Sequence, residues 1–304
     1  MRVFRVVEAG LLTTVQDPGR PGHRAAGVAP GGAFDPFALR AANRLCGNTE
    51  LAAALEVTYR GPRLEALTDA VVAVCGADLS ATADGRVVPR WRPVTVRKGS
   101  VLSFGARVSG CRAYLGVAGG LGAPVFMRSR ATDVRCGLGG VVLAPGMLLE
   151  TGKPGAPKLG DLSPRVPAIY DPPGDLRVIP GPDLEAFPPG ALEALLAGPF
   201  RVHSASDRSG VRLTGTAIPR SPEDVLSEPV ASGHIQVPPD GRPIILGPEC
   251  GSIGGYPRIA CLIAADLPRL AQLLPNDPVR FSAVDVDEAR WLDAAARALL
   301  EARR

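Results

Sequence analysis

The chain has 304 residues, 46% of them hydrophobic, which is enough to bury one large core or two of ordinary size; two lobes are the better expectation. Its 34 basic and 30 acidic residues are scattered and give a net charge of only +4, so no stripe for phosphate backbones is present and nucleic acid is not an expected partner. Because no run of about 18 apolar residues occurs and residues 1–5 lack the apolar segment of a signal peptide, we expect a soluble, cytoplasmic protein without membrane contact.

The first half of the chain is predicted to consist mainly of strands, with one helix. Residues 3–7 alternate closely enough to be a strand, and Asp35, Pro36 and Gly47 stand where a helix N-cap, first residue and terminal glycine are expected. Further strands, separated by glycine-bearing turns, are predicted at residues 70–74, 91–96, 101–104 and 113–117. The 36 Gly and 31 Pro favour such a turn-dense, β-rich fold.

A proline-rich stretch at residues 152–175 predicts the boundary between the lobes, because proline fixes the backbone and removes ladder donors. We place the first lobe at residues 1–165 and the second at 166–304. The second lobe is predicted to hold strands at 176–179, 235–237, 244–246, 258–264 and 279–281, with short helices at 191–197 and 266–272. Asp285 and Glu288 resemble a capping box that starts a last helix, whose apolar face includes Trp291 and Leu292.

The cysteines and histidines give no sign of a metal or disulfide framework. The six cysteines lie mostly in apolar runs and never as a C-x-x-C pair, so we interpret them as small buried hydrophobic side chains in a reducing compartment. The three histidines are far apart in sequence, and no metal site is predicted. His234 can be a base near neutral pH or a structural residue.

Residues 13–20 hold more polar groups than packing requires. Gln16, Asp17 and Arg20 can bind a polar substrate, since arginine offers a bidentate fork for a carboxylate. The alternative is a turn in which Asp17 bonds nearby amides.

Gly31 and Gly32 precede the helix at Asp35, where backbone amides can approach a phosphate of a nucleotide cofactor. The Lys-Ser/Thr ending of a phosphate-binding loop is missing, so a tight turn followed by an N-cap is the favoured explanation of the pattern.

Two segments of the second lobe also suggest ligand contacts. Asp207, Arg208 and Arg212 form either a clamp for an acidic ligand or another subunit, or an internal salt bridge. Gly254 and Gly255 precede Tyr256 and Arg258 and predict a bulge or a close approach to a ligand, with these two side chains as substrate contacts.

No motif of a self-contained enzyme class is present, so the residues alone indicate a β-rich binding surface. Segments spread over the whole chain nevertheless resemble one family, variously called the C subunit of 5-oxoprolinase, allophanate hydrolase subunit 2 or biotin-dependent carboxyltransferase. The segments that carry this resemblance are residues 13–20, 27–28, 31–35, 54–58, 114, 117–120, 180–182, 206–213, 233–238, 241–246 and 254–266.

The resemblance implies a cyclophilin-like fold, mainly β with a few helices, in two β-barrel-like lobes. It also implies two partners, a B-type subunit of related cyclophilin-like fold and a LamB/YcsF-like A-type subunit. The implied reaction uses ATP, with Mg, to open the lactam of the small amide 5-oxoproline and form glutamate. The ATP is bound either by this chain or only by the complex. The resemblance leaves open a carboxyl transfer from biotin to urea, and a non-catalytic role antagonising an inhibitor of a sporulation kinase.

For this chemistry the resemblance leads us to assign Arg20, Arg208 and Arg212 to oxyanion contacts. Asp17, Asp35 and Asp207 are the candidates for the proton-handling or metal-facing carboxylate. Biotin is not expected on this chain, because no methionine is followed by lysine. Where the family usually has Asp-Ala-Gln-Thr-Thr, residues 249–253 are Glu-Cys-Gly-Ser-Ile, a change that affects activity or specificity if this loop contacts substrate.

Overall fold

A computed structural model describes residues 1–155, 161–162, 167–170, 174–221 and 225–301. Their contacts divide the chain into two compact units. The first unit comprises Met1–Arg20, Gly31–Ala168 and Ala298–Arg304, and the second comprises Pro21–Pro30 and Ile169–Arg297. The boundary expected between residues 165 and 166 lies outside the described residues.

The first unit consists of two sheets and one long helix. Its strands are β1 Arg2–Glu8, β2 Leu12–Gln16, β3 Ala54–Thr58, β4 Arg63–Ala66, β5 Ala70–Asp78, β6 Thr82–Ala83, β7 Arg86–Val87, β8 Pro93–Val96, β9 Val101–Ser103, β10 Ser109–Val117 and β11 Leu148–Glu150. One sheet has the order β11-β1-β4-β9-β6-β7 and the other β2-β3-β10-β5-β8. Alternating apolar residues of both sheets, such as Phe4, Leu64, Leu55 and Leu115, form one buried core between them.

Helix α1, Pro36–Leu45, packs on β5 and β10 of the five-stranded sheet. The predicted start is confirmed: Asp35 is the N-cap, its carboxylate accepts from the Ala38 N–H at 2.8 Å, and Pro36 follows. The close packing requires a glycine in β10, since a Cβ at Gly116 would lie 2.6 Å from the Ala42 carbonyl oxygen. The N-terminus of α1 is therefore fixed firmly against the sheet.

The second unit is dominated by one eight-stranded sheet, in the order β20-β13-β14-β17-β16-β19-β12-β21. The strands of this sheet are β12 Leu176–Pro180, β13 Phe200–Val202, β14 Gly210–Gly215, β16 His234–Gln236, β17 Ile244–Leu246, β19 Arg258–Leu262, β20 Pro278–Val279 and β21 Phe281–Ala283. Two short strands, β15 Glu228–Pro229 and β18 Ile253–Gly254, form a separate two-stranded sheet. The two outermost strands are separated by Arg280 alone, so the sheet must curl until its edges approach each other. This geometry confirms the expected mainly-β fold with a nearly closed barrel sheet.

The remaining helices are α2 Pro167–Tyr170, α3 Ala191–Ala197, α4 Leu267–Leu270 and α5 Val286–Glu301. The Glu288 N–H donates to the Asp285 carboxylate at 2.8 Å, which is half of the predicted capping box. Within α5 the buried residue is Leu300, whereas Trp291 on the predicted apolar face is 67% exposed.

Some details differ from the sequence prediction. The strand expected at residues 91–96 begins only at Pro93, because Trp91 has a φ of 64° that a strand cannot contain. All six cysteines are free, and Cys136 is exposed rather than buried. Within the described ranges, every helix is too short or too polar to cross a lipid bilayer.

Candidate functional site

The carboxylate of Asp17, immediately after β2, joins two loops of the first unit. Its Oδ1 accepts from the Gly19 N–H at 2.8 Å and from the Ser129 hydroxyl at 2.6 Å, and its Oδ2 accepts from the Arg130 N–H. These bonds are those of a turn-forming carboxylate. Both oxygens of Asp17 are therefore engaged in holding the loop at Ser129 beside β2.

Arg20 lies in the first unit with only 1% of its surface exposed. Its Nη2 donates to the Ala131 carbonyl, and its guanidinium carbon is 5.7 Å from the centre of the Phe126 ring. Nε and Nη1 have no hydrogen-bond partner among the described residues, and no carboxylate there pairs with the charge. Since a buried charge is costly unless it is paired, this guanidinium has spare capacity to bind an anion.

Gln16 is fully buried at the end of β2 and shows the complementary feature. Its Nε2 donates to the Thr14 hydroxyl at 3.1 Å and to the Thr132 carbonyl at 2.9 Å. Its Oε1 has no partner among the described residues. Gln16 and Arg20 thus bond the carbonyls of consecutive residues, 132 and 131, and retain an unused acceptor and unused donors respectively. We call this arrangement the Gln16–Arg20 pair.

Gly31 and Gly32 lie against this segment, with φ angles of 60° and 89°. A Cβ at Gly31 would lie 3.3 Å from Nη1 of Arg20, and one at Gly32 would lie 2.8 Å from the Gly19 nitrogen. Because these two residues have no side chain, their backbone can lie close to Gly19 and Arg20. The following helix N-terminus is occupied by the Asp35 carboxylate, which leaves it a poor place for a phosphate.

Sequence reasoning assigned no role to Glu56 and Tyr114, which form a buried polar network in the first unit. The Glu56 carboxylate accepts from the Tyr114 hydroxyl at 2.6 Å and from the Phe34 N–H at 2.9 Å, and the Tyr114 oxygen accepts from the Asp35 N–H at 2.8 Å. Burial, followed by the nearby Glu56 and Asp35 carboxylates, raises the pKa of Tyr114 well above its usual value. The network fixes residues 34–35 just after the two glycines.

In the second unit, Asp207 accepts from the Ser209 and Gly210 N–H groups at 2.8 and 3.1 Å, as a turn aspartate does. The buried Arg208 side chain donates to Glu249, and Arg212 is exposed on β14. Arg208 therefore forms an internal salt bridge with Glu249, a residue outside its own loop. Glu249 belongs to residues 249–253, where this sequence departs from the family pattern.

Arg258 is held by two carboxylates that sequence reasoning missed. Its Nε and Nη2 donate to Asp183 at 2.6 and 2.8 Å, Nη2 also donates to Glu228, and Nη1 donates to the Pro229 carbonyl. The Arg258 hydrogen bonds lower the pKa of Asp183, and those same bonds raise the pKa of Arg258. Arg258 acts as a brace, while Tyr256 is partly exposed and its carbonyl accepts from Gln236 at 2.9 Å.

His234 lies in a positively charged environment at the start of β16. Its Nδ1 accepts from the Ala231 N–H at 3.3 Å. Burial, then Arg258 and Arg24, hold the pKa of His234 below its usual range, so its neutral form is favoured at pH 7. Arg24 itself donates to the Val230 and Gly251 carbonyls.

The described residues contain no group of three or more His, Cys, Asp or Glu that can hold a metal ion. A cavity of about 430 Å³ in the first unit has a mostly apolar lining and includes none of the predicted site residues; it is formed by Gly122, Ala123, Pro124, Val141, Met147, Leu148, Leu149 and Glu150.

The model of the family described as "Carboxyltransferase domain, subdomain A and B" matches residues 26–283. The chain belongs to this family. Within the carboxyltransferase domain family, it is 36% identical over 292 residues to the C subunit of 5-oxoprolinase from Escherichia coli and 34% identical to the Haemophilus influenzae protein of that name. Each alignment covers 94% of this chain and 93% of the relative.

The carboxyltransferase domain of this chain also superimposes on the crystal structure of K. lactis urea amidolyase, with a TM-score of 0.89 and 29% identity. That alignment covers 98% of this chain and 20% of the larger protein.

The structure thus brings Gln16, Asp17, Arg20, Gly31 and Gly32 together in the first unit, whereas Asp207, Arg208, Arg212, Tyr256 and Arg258 lie in the second. The catalytic roles of Asp17, Asp35 and Asp207 stay predictions, and all three carboxylates accept hydrogen bonds from backbone N–H groups. Ser129, Asp183 and Glu228 gave no local sequence signal, because their partners are distant along the chain.

Proposed function

We propose that this chain is one component of a cytoplasmic, ATP-dependent 5-oxoprolinase complex, which hydrolyses 5-oxoproline to glutamate. The observation that carries the proposal is similarity to two proteins named as the C subunit of 5-oxoprolinase over more than nine-tenths of both lengths. A chain that aligns over nearly its whole length with such a protein has the size and fold to replace it.

The buried Arg20 supports the same proposal on chemical grounds. 5-Oxoproline is an anion at neutral pH, and an enzyme must hold its carboxylate while the lactam carbonyl, a poor electrophile, is activated. A guanidinium with unused Nε and Nη1 donors fits that requirement.

ATP and Mg belong to other subunits in this proposal. The residues of this chain do not fit a phosphate at Gly31 and Gly32, because the helix N-terminus that follows is capped by the Asp35 carboxylate and the glycines pack on residues 17–20. We therefore propose that a LamB/YcsF-like partner and a second partner of related fold complete the complex and supply nucleotide binding.

The experiment is release of glutamate and ADP from 5-oxoproline and ATP, by this chain copurified with the proteins encoded beside it. Turnover that disappears when this chain is omitted supports the proposal, and no turnover by the full set overturns it. Glutamate release without ADP release would contradict the ATP-dependent mechanism.

A second candidate is carboxyl transfer to urea, which the TM-score of 0.89 to urea amidolyase favours. Biotin would then have to arrive on another protein, because no methionine of this chain is followed by lysine. Formation of N-carboxyurea from urea, bicarbonate and ATP in the presence of a biotinylated carrier is the distinguishing assay.

A further inference from the structure

The Gln16–Arg20 pair combines two unusual features in one buried segment. Arg20 has donors on Nε and Nη1 without acceptors, and Gln16 has an acceptor, Oε1, without a donor. Buried polar groups of folded proteins are nearly always hydrogen-bonded, so each exception needs an explanation. Two exceptions of opposite polarity, four residues apart and bonded to carbonyls 131 and 132, suggest one ligand for both.

We infer that the Gln16–Arg20 pair is a binding site for a carboxylate that has an N–H group within two bonds. The carboxylate accepts from Arg20, and the N–H donates to Oε1 of Gln16. An uncharged amide satisfies only Gln16, and a simple carboxylate satisfies only Arg20. The choice of ligands for testing this inference rests on the proposed function.

Two ligands from different reactions share this chemistry. In 5-oxoproline the carboxylate is on the carbon next to the lactam N–H. In N-carboxyurea, the product of carboxyl transfer to urea, the carboxylate is on a nitrogen that retains an N–H. Urea itself has no charge and leaves Arg20 unpaired, so it is expected to bind more weakly than its carboxylated form.

Two glycines lie next to the guanidinium of Arg20. Side chains are absent at Gly31 and Gly139, where a Cβ would lie 3.3 Å from Nη1 and 3.0 Å from Nη2. Because Arg20 is 1% exposed, the ligand reaches it only when the residues that cover it move. Gly31, which has no side chain, is the residue next to Nη1.

The test is a calorimetric titration of the full chain, alone and in the reconstituted complex, with four probes. 5-Oxoproline and N-carboxyurea carry both groups, 2-pyrrolidinone lacks the carboxylate, and cyclopentanecarboxylate lacks the N–H. We expect the two complete ligands to bind at least about tenfold more tightly than either partial one, the loss expected for a charge-assisted hydrogen bond. Whichever of 5-oxoproline and N-carboxyurea binds more tightly identifies the reaction to which the bound carboxylate belongs.

Two variants locate the effect. Arg20→Met should abolish the preference for 5-oxoproline over 2-pyrrolidinone, and Gln16→Met should abolish the preference over cyclopentanecarboxylate. Arg86→Met, the same chemical change at an exposed position of β7, should alter neither ratio. If Arg20→Met does not fold, Arg20→Lys retains the charge and is expected to weaken binding about tenfold.

Equal binding of the four probes, or no binding of any, overturns the inference. A crystal structure soaked in 5-oxoproline that shows only water on Nε and Nη1 overturns it as well. Binding is measured without ATP, so the two proposals can fail separately. Tight binding in a complex that has no turnover refutes the proposed function and supports this binding site. Turnover without the binding preference refutes the binding site and supports the proposed function.

Discussion

The Tyr114 hydroxyl donates a 2.6 Å hydrogen bond to the carboxylate of Glu56, and both side chains are buried in the first unit. The same hydroxyl oxygen accepts from the Asp35 N–H, and the same carboxylate accepts from Phe34. One phenol therefore connects β3, β10 and the N-terminus of α1. Its removal affects residues 34–35, which follow Gly31 and Gly32 on the chain.

The first prediction is that Tyr114→Phe lowers the free energy of unfolding by about 2 kcal/mol, because Asp35 N–H loses its acceptor and Glu56 loses a donor in the core. Urea unfolding at pH 7 measures the change. Tyr59→Phe is the matched control, since Tyr59 is largely exposed, and it should stay within about 0.5 kcal/mol of the parent. Equal losses in both variants would contradict a special role for Tyr114.

The second prediction concerns alkaline pH. Burial, then the Glu56 and Asp35 carboxylates, raise the pKa of Tyr114 above its usual value of 10, so only the unfolded chain releases this proton as the pH passes 10. The Tyr114 contribution is fully present below pH 10 and declines above it, by about 1.4 kcal/mol per pH unit. The stability difference between the parent and Tyr114→Phe should therefore shrink between about pH 10 and pH 11. A constant difference would show that Tyr114 titrates normally.

The third prediction separates structure from catalysis at Asp17. Asp17→Asn places an amide where the Ser129 hydroxyl or the Arg130 N–H now donates, and should cost about 2–3 kcal/mol in the free energy of unfolding. If Asp17 only positions loops, the folded variant retains kcat in the reconstituted assay. A kcat that falls about a thousandfold with the fold intact would assign it proton transfer. Asp287→Asn, on the exposed face of α5, is the stability control.

Comparison of the sequence prediction with the structure shows which features depend on neighbours along the chain. Asp35 and Pro36 specify a helix start through neighbours on the chain, and the structure confirms both positions. Residues 13–20 were recognised as unusual, yet their partners at Ser129–Thr132 are more than a hundred residues away and have no local pattern. The unpaired state of Arg20 is a property of packing and is invisible in composition.

In the second unit, the partners of Arg258 are likewise distant along the chain. Arg258 stood out as a candidate contact, but the carboxylates that occupy it, Asp183 and Glu228, come from 75 and 30 residues earlier. The sequence shows that an arginine is present, but only the structure shows that its N–H groups already donate to carboxylates of the same chain. The fold class was easier to predict, because turn density and alternating strands are local properties.

The fourth prediction tests the close packing of Gly32. Gly32→Ala requires a residue with φ of 89° and places a Cβ 2.8 Å from the Gly19 nitrogen, whereas Gly85→Ala meets a φ of 78° in open space. Gly85→Ala should cost about 1 kcal/mol for the backbone alone. Gly32→Ala should cost a further 1–3 kcal/mol, roughly, for the steric clash. Similar thermal unfolding of the two variants would contradict the packing of Gly32 on residues 17–19.

The fifth prediction concerns acidic pH in the second unit. The Arg258 hydrogen bond lowers the pKa of Asp183 below its usual 3.8, so its stabilising contribution is present above about pH 4 and is lost as the pH falls through the folded value. The stability difference between the parent and Asp183→Asn should therefore narrow below pH 4. Asp240→Asn, in an exposed turn, should leave stability at pH 7 within about 0.5 kcal/mol. A difference independent of pH would contradict ionic pairing with Arg258.

The two tryptophans of the chain fall in different units and different environments. Trp91 is buried in the first unit beside Phe37, and Trp291 is exposed in the second. Indole emission shifts to the blue in apolar surroundings, and a water-soluble quencher reaches only an exposed ring. The chain therefore carries one optical reporter for each unit, and a single fluorescence titration can distinguish whether the two halves unfold together or in sequence.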